Sequence, residues 1–137
     1  MIQKESSLVK LFWLAYLPVI FWMGVIFYLS NQPGVGGNSY NLIVYTERKI
    51  AHVGEYFILT LLLVRCGWLK NLRPARIIFS AMFVALLYAA TDEWHQLYIP
   101  GREGKLTDVG IDFVGIVIAA VLVSFILRWK QSRVVLN

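Results

Sequence analysis

The chain has 137 residues, of which 58% are hydrophobic and 15% charged, with a formal net charge of +5 and a mean hydropathy of +0.64. Soluble domains average roughly 45–50% apolar and about 25% charged residues. The composition therefore excludes a disordered tail and an ordinary soluble enzyme, and the single cysteine, Cys66, excludes an intramolecular disulfide. We predict an integral membrane protein. The placement of its basic residues indicates membrane topology rather than nucleic-acid binding.

Four apolar segments follow one another along the chain, and a bilayer core of ~30 Å needs about 20 residues of helix to cross it. The first segment is expected to be a retained span, because Ser30-Asn31-Gln32-Pro33 lacks the small residues of a signal cleavage site. We predict one all-α domain over residues 1–137, a multi-pass protein of the cell membrane. Its four helices are expected at about 11–30, 50–69, 77–96 and 108–127.

The basic residues predict the orientation, because Lys and Arg collect on the cytoplasmic side of a membrane. Nine of the thirteen fall on one predicted side, so both termini are expected to be cytoplasmic. The nine are Lys4, Lys10, Arg65, Lys70, Arg73, Arg76, Arg128, Lys130 and Arg133.

The acids and histidines concentrate on the opposite, outer half. They are Glu47, His52, Glu55, Asp92, Glu93, His95, Glu103, Asp108 and Asp112. Charged side chains that face lipid are costly, so we expect these residues to meet in a shallow pocket that opens outward. Small residues at helical spacing, Ala81, Ala85 and Ala89 on the third helix and Gly115 and Ala119 on the fourth, predict the seams where helices pack closely.

Helical periodicity aligns the polar residues into faces. We take His52, Asp92, Glu93 and His95 as candidate catalytic acids and bases, or as headgroup-binding groups. The candidate substrate-binding residues are Lys49, Glu55, Tyr56, Gln96, Arg102, Asp108 and Asp112.

The same polar residues are also compatible with a metal site or with a purely structural role. The pairs His52/Glu55 and Asp92/His95 each place two potential ligands on roughly one helix face, so they could bind a divalent metal. The sequence does not identify a ligand set, and it does not identify a cofactor. The polar residues could equally be interhelical hydrogen bonds and ion pairs that hold the bundle together. Covalent catalysis is not expected, since no serine lies in a nucleophile elbow and Cys66 lies near the other face.

The segment from Asp92 to Gly115 resembles the signature of the VanZ-like family, small multi-spanning proteins named after an accessory teicoplanin-resistance protein. The family pattern of an acidic pair, Gln, Pro-Gly-Arg and a final Asp is matched by Asp92, Glu93, Gln96, Pro100, Gly101, Arg102 and Asp108. An earlier Lys-x-x-His-x-x-x-Tyr element is matched by Lys49, His52 and Tyr56, and a Ser-x-Gln-like stretch by Ser30 and Gln32. One departure is Asp112, where the family more often has Asn.

The resemblance implies a protein that acts on or near lipid-linked envelope precursors and is linked to glycopeptide resistance, teicoplanin in particular. Its expected partner is a membrane lipid or lipid-linked precursor, with no nucleic acid, and oligomers are possible. The alternatives are an enzyme that performs acid/base chemistry on a polar lipid headgroup, and a structural or assembly partner of an envelope complex. Whether the protein is an enzyme is left open.

Overall fold

The computed structural model describes residues 9, 12–33, 42–102 and 104–135. Their regular structure is entirely helical, which confirms the predicted all-α fold with four helices. A π-helical turn, Phe12–Tyr16, leads into α1 (Leu17–Ser30). The other helices are α2 (Leu42–Leu69), α3 (Pro74–Gln96) and α4 (Leu106–Val135). By length and composition, Phe12–Ser30 and each of the other three helices can cross a membrane.

Two helices extend well beyond the apolar stretches that predicted them. α2 begins at Leu42 rather than near residue 50, and α4 continues to Val135 rather than ending near residue 127. Glu, Arg and Lys are good helix formers, so the charged run 47–49 interrupts the hydropathy of α2 without interrupting its backbone. Hydropathy therefore reports the membrane-embedded part of a helix and misses its ends.

The start of α1 is shaped by Pro18, which lies in the first turn of the α-helix after the π-helical turn. Proline has no N–H, so it cannot donate to the carbonyl of Leu14 four residues earlier. The guanidinium Nη1 of Arg65, near the end of α2, donates to that carbonyl oxygen instead. This contact ties the beginning of the first span to the end of the second.

A tight turn joins α2 to α3. Asn71 adopts a left-handed conformation with φ 55, and its N–H donates to the carbonyl of Trp68, while the N–H of Leu72 donates to the carbonyl of Gly67. This pair of bonds is a Schellman motif, and Asn tolerates the left-handed position better than most residues. Pro74 then starts α3, where its missing N–H costs nothing.

The bundle packs through the small residues that the sequence singled out. Ala81, Ala85 and Ala89 are buried, as is Ala119. Helices α2 and α4 pack most extensively, and a Cβ at Gly115 would overlap the carbonyl oxygen of Val53 on α2. Glycine at this position is what lets the two backbones approach so closely. The close α2–α4 contact places the polar residues at the start of both helices side by side.

The periphery of the bundle is apolar, as a lipid-facing surface requires. Large side chains such as Phe21, Phe79, Phe83, Val121 and Phe125 are more than half exposed. The exposed tryptophans at the ends of the spans are Trp13, Trp68, Trp94 and Trp129.

Candidate functional site

Polar side chains from all four helices meet at one end of the bundle, which we call the polar end. It is formed where α1 and α3 finish and where α2 and α4 start. The side chains buried there are Ser30, His52, Asp92, Glu93, Gln96 and Asp112. The polar residues form two neighbouring hydrogen-bond networks. Asp92 and Glu93, although adjacent in sequence, belong to different ones.

The first network joins α1 to α3. The hydroxyl of Ser30 donates to Oδ2 of Asp92 at 2.7 Å, and the side-chain amide of Gln96 donates to the same oxygen at 3.1 Å. The Gln96 amide also lies 3.2 Å from the Ser30 hydroxyl. Ser30 matches the family motif, but it is not among the site residues predicted from the sequence. The signal that could have identified it is a polar residue at the end of the first apolar helix.

Arg102 closes this network from the loop after α3. Its Nε and Nη2 donate to the carbonyls of Gln32 at 2.9 Å and Leu29 at 2.7 Å, and its Nη1 donates to Oε1 of Gln96 at 3.3 Å. The last carbonyls of a helix have no N–H four residues further on within the helix, and a guanidinium can satisfy their remaining acceptor capacity. Burial lowers the pKa of Arg102, although an arginine remains charged at physiological pH. Arg102 is therefore bound to the protein itself rather than facing outward.

A turn aims Arg102 at these partners. The N–H of Arg102 donates to the carbonyl of Ile99 at 3.1 Å, and Gly101 at the third position has φ 73. Proline at the second position and a positive φ at the third are typical of a type II turn, which favours glycine there. The turn conformation therefore explains Pro100 and Gly101, and the side-chain hydrogen bonds explain Arg102. Glu103, which follows, lies outside the described residues.

The second network joins α2 to α4. Nδ1 of His52 lies 2.9 Å from Oδ1 of Asp112, and both side chains are buried. One turn closer to the helix starts, Lys49 forms an ion pair with Asp108. The spacing of three residues on α2 and four on α4 matches one helical turn on each, so the two pairs stack in register. The pairs run between helices, not along one helix.

Glu93 lies beside the His52–Asp112 pair. Its Oε2 accepts a hydrogen bond from the backbone N–H of Lys105 at 3.0 Å. One ring nitrogen of His52 and one carboxylate oxygen each of Glu93 and Asp112 lie within 4.8 Å of one another. The three side chains come from three different helices, α2, α3 and α4.

Several buried polar atoms at the polar end lack a hydrogen-bond partner among the described residues. They are the Tyr56 hydroxyl, Oε1 of Glu93, Oδ2 of Asp112 and Nε2 of His95. Buried polar groups in proteins are nearly always hydrogen-bonded, so each exception needs an explanation such as a ligand, an ion or water. Two of these four atoms belong to the carboxylates that lie against His52.

The remaining predicted site residues, His95, Tyr56 and Glu55, are not members of this group of three. The ring of His95 stacks on Phe27 of α1, with centroids 4.7 Å apart, so it faces α1 rather than His52. Tyr56 is fully buried. Glu55 is half-buried, and its backbone carbonyl accepts a hydrogen bond from the indole of Trp22. The structure thus gathers His52 with Glu93 and Asp112, whereas the sequence paired it with Glu55.

Comparison with known proteins identifies the chain. No curated protein and no solved structure matches it. A family model described as VanZ/LLP1 matches residues 13–128, which include every residue of both networks, the second and third spans and most of the first and fourth. The motifs that suggested this resemblance are the residues that the fold brings together at the polar end. The chain belongs to the VanZ/LLP1 family.

Proposed function

We propose that the polar end binds the headgroup of a membrane lipid or a lipid-linked envelope precursor. The observation that carries this proposal is the pair of buried carboxylate oxygens, Oε1 of Glu93 and Oδ2 of Asp112, which have no partner among the described residues. Carboxylate oxygens are acceptors only, so their ligand must supply donors or positive charge. Sugar hydroxyls and amines of a lipid headgroup have this chemistry, and a lipid reaches a membrane-embedded site laterally.

We further propose that the polar end faces outward, at the outer surface of the cell membrane. The support is the distribution of Lys and Arg, nine of which lie toward the opposite end of the spans in the predicted topology. This location, together with membership of the VanZ/LLP1 family, supports a link to glycopeptide resistance, teicoplanin in particular.

A second candidate function is acid/base catalysis on the same headgroup. It is favoured by the His52–Asp112 pair, in which a buried carboxylate orients the imidazole through Nδ1. A histidine held in this way can take a proton from a hydroxyl or a water, and general acid/base catalysis contributes typically 10²–10⁴-fold to a rate. Headgroup release by purified protein, measured with and without a chelator, separates catalysis from binding alone.

Lipid binding is tested by purifying the full chain in mild detergent and identifying the co-purified lipids by mass spectrometry. The informative variant is Glu93→Gln, which removes the charge but keeps the side-chain shape. Its control is Glu47→Gln, an exposed acid on α2. We expect a specific lipid with wild type and the control, and at least a tenfold loss with Glu93→Gln. Equal lipid retention by all three proteins would contradict the proposal.

The cellular test measures membrane abundance and teicoplanin susceptibility in cells that carry His52→Gln or Glu93→Gln. We expect the phenotype to be lost while abundance is maintained. If abundance falls in parallel with the phenotype, the polar end is a structural network, and the alternative of a structural or assembly protein is favoured.

A further inference from the structure

The group of His52, Glu93 and Asp112 has the composition and geometry of a metal site. We propose that these three side chains bind a divalent transition-metal cation of the Zn²⁺ type. Each is more than nine-tenths buried, with exposed fractions of 8%, 4% and 0%, respectively. One nitrogen and two carboxylate oxygens lie within 4.8 Å of one another. The cation would use the same two carboxylate oxygens that support the proposed lipid site, so metal binding and lipid binding are measured separately below.

The two carboxylates give independent evidence for a cation. Each has one oxygen held by the protein: Oε2 of Glu93 by the Lys105 N–H, and Oδ1 of Asp112 by His52. The other oxygen of each is buried and has no partner among the described residues. A buried, unsatisfied charged group costs more than the ~1–3 kcal/mol of a neutral one. A cation between the two carboxylates removes this cost for both.

Two basic side chains at the polar end, Lys49 and Arg102, have other partners. Lys49 pairs with Asp108, and Arg102 donates to Gln96 and to two backbone carbonyls. They therefore balance other groups at the polar end, and the three-residue group keeps two acids against one histidine. A divalent cation supplies the charge that this group lacks.

The ligand set indicates the class of cation. Imidazole favours Zn²⁺ and similar transition metals, whereas all-oxygen sites favour Mg²⁺ and Ca²⁺. Three protein ligands leave one position of a tetrahedral Zn²⁺ open for water or another ligand. Tetrahedral ligand atoms at 2.0–2.2 Å from a common Zn²⁺ lie about 3.3–3.6 Å apart. The three atoms, which now lie within 4.8 Å of one another, would draw together by at most about 1.5 Å on binding the metal, a shift that side-chain rotation can supply.

Metal ligands in proteins are usually oriented by hydrogen bonds from neighbouring groups, and the hydrogen-bonded oxygen of Glu93 fits this pattern. Hydrogen bonds to the outer atoms of metal ligands fix their orientation, and losing such a bond typically lowers metal affinity 10–100-fold. The backbone N–H of Lys105 has this role for Glu93. Asp108, by pairing with Lys49, keeps the lysine ammonium away from the two carboxylates.

The test uses the full chain, purified in detergent and stripped with a chelator, with Zn²⁺ alone as the probe. Competition with a chromophoric chelator gives affinity and stoichiometry. We expect one Zn²⁺ per chain in wild type. We expect a more than ~100-fold loss of affinity in each of His52→Gln, Glu93→Gln and Asp112→Asn, because a direct ligand matters more than its outer partner. The controls His95→Gln and Glu47→Gln, the second at an exposed acid on α2, should bind Zn²⁺ as wild type does.

A second measurement protects the result against misfolded variants. Co²⁺ bound to wild-type protein should give the intense d–d absorption of four- or five-coordination, and excess Zn²⁺ should abolish it. Weak absorption typical of six-coordinate aqueous Co²⁺, no saturable Zn²⁺ binding by wild type, or equal losses in the controls would each overturn the metal site. Lipid retention measured on the same stripped protein tests the proposed function separately, since it needs no added metal.

Discussion

Asp92 and Glu93 offer a sharp test of how the polar end is held together. They are adjacent on α3 and equally buried, each with an exposed fraction of 4%. Asp92 accepts two hydrogen bonds through one oxygen, from Ser30 and Gln96. Glu93 accepts one, from a backbone N–H, and its other oxygen has no partner among the described residues. Neutralising the two acids should therefore have different effects on stability.

The size of the difference follows from the hydrogen bonds. A bond to a charged group contributes about 1.5–3 kcal/mol, and a neutral bond about 0.5–1.5 kcal/mol. Asp92→Asn converts two bonds from charged to neutral, so we expect the free energy of unfolding to fall by about 2–3 kcal/mol. Glu93→Gln weakens one bond but removes an unpaired buried charge, which costs more than the ~1–3 kcal/mol of an unsatisfied neutral group. Its net change should stay within about 1 kcal/mol of zero or be stabilising.

Equilibrium unfolding of metal-free protein in mixed micelles, followed by tryptophan fluorescence, measures both changes. The metal is removed with a chelator because a bound cation would stabilise wild type. Glu93→Gln would then lose stability by losing the cation, and not through the change in its hydrogen bond. If Glu93→Gln lowers the free energy of unfolding as much as Asp92→Asn does, the conclusion that Glu93 carries an unpaired charge is refuted. No loss in Asp92→Asn would show that the Ser30–Asp92–Gln96 network does not stabilise the bundle.

Three further predictions concern packing, the loop and orientation. Gly115→Val inserts a side chain where the α2 backbone passes, so it should lower the free energy of unfolding by about 1–3 kcal/mol. The control is Gly110→Ala on the same helix, where a Cβ meets nothing within 4 Å, and this change should be tolerated. In Arg102→Lys, one ammonium cannot reach the three acceptors that the guanidinium binds. We expect the free energy of unfolding to fall by about 1–3 kcal/mol in the same assay. In a background without the native cysteine, Leu106→Cys, at a position 90% exposed, should react with an impermeant thiol reagent in intact cells, and Ser132→Cys should not. The opposite labelling pattern would reverse the proposed orientation.

The sequence determined the class of the protein and the number of its helices. Hydropathy and the 3.6-residue period are local properties, so they identify spans and faces without reference to any neighbour. The same local patterns predicted that seven of the eight acids and both histidines share one end. They also identified Ala81, Ala85 and Ala89 as a packing seam, and these three residues are buried in the structure. The family motifs could also be found in the sequence, because they lie in two continuous segments.

Which of these residues meet depends on how the helices pack against one another. Spacing along one helix suggested the pairs His52/Glu55 and Asp92/His95, but the observed contacts join His52 to Asp112 and Asp92 to Ser30. Such contacts depend on the rotation of each helix about its axis and on the register between helices. Here the close α2–α4 approach at Gly115 sets that register, and no periodicity within a single helix contains this information.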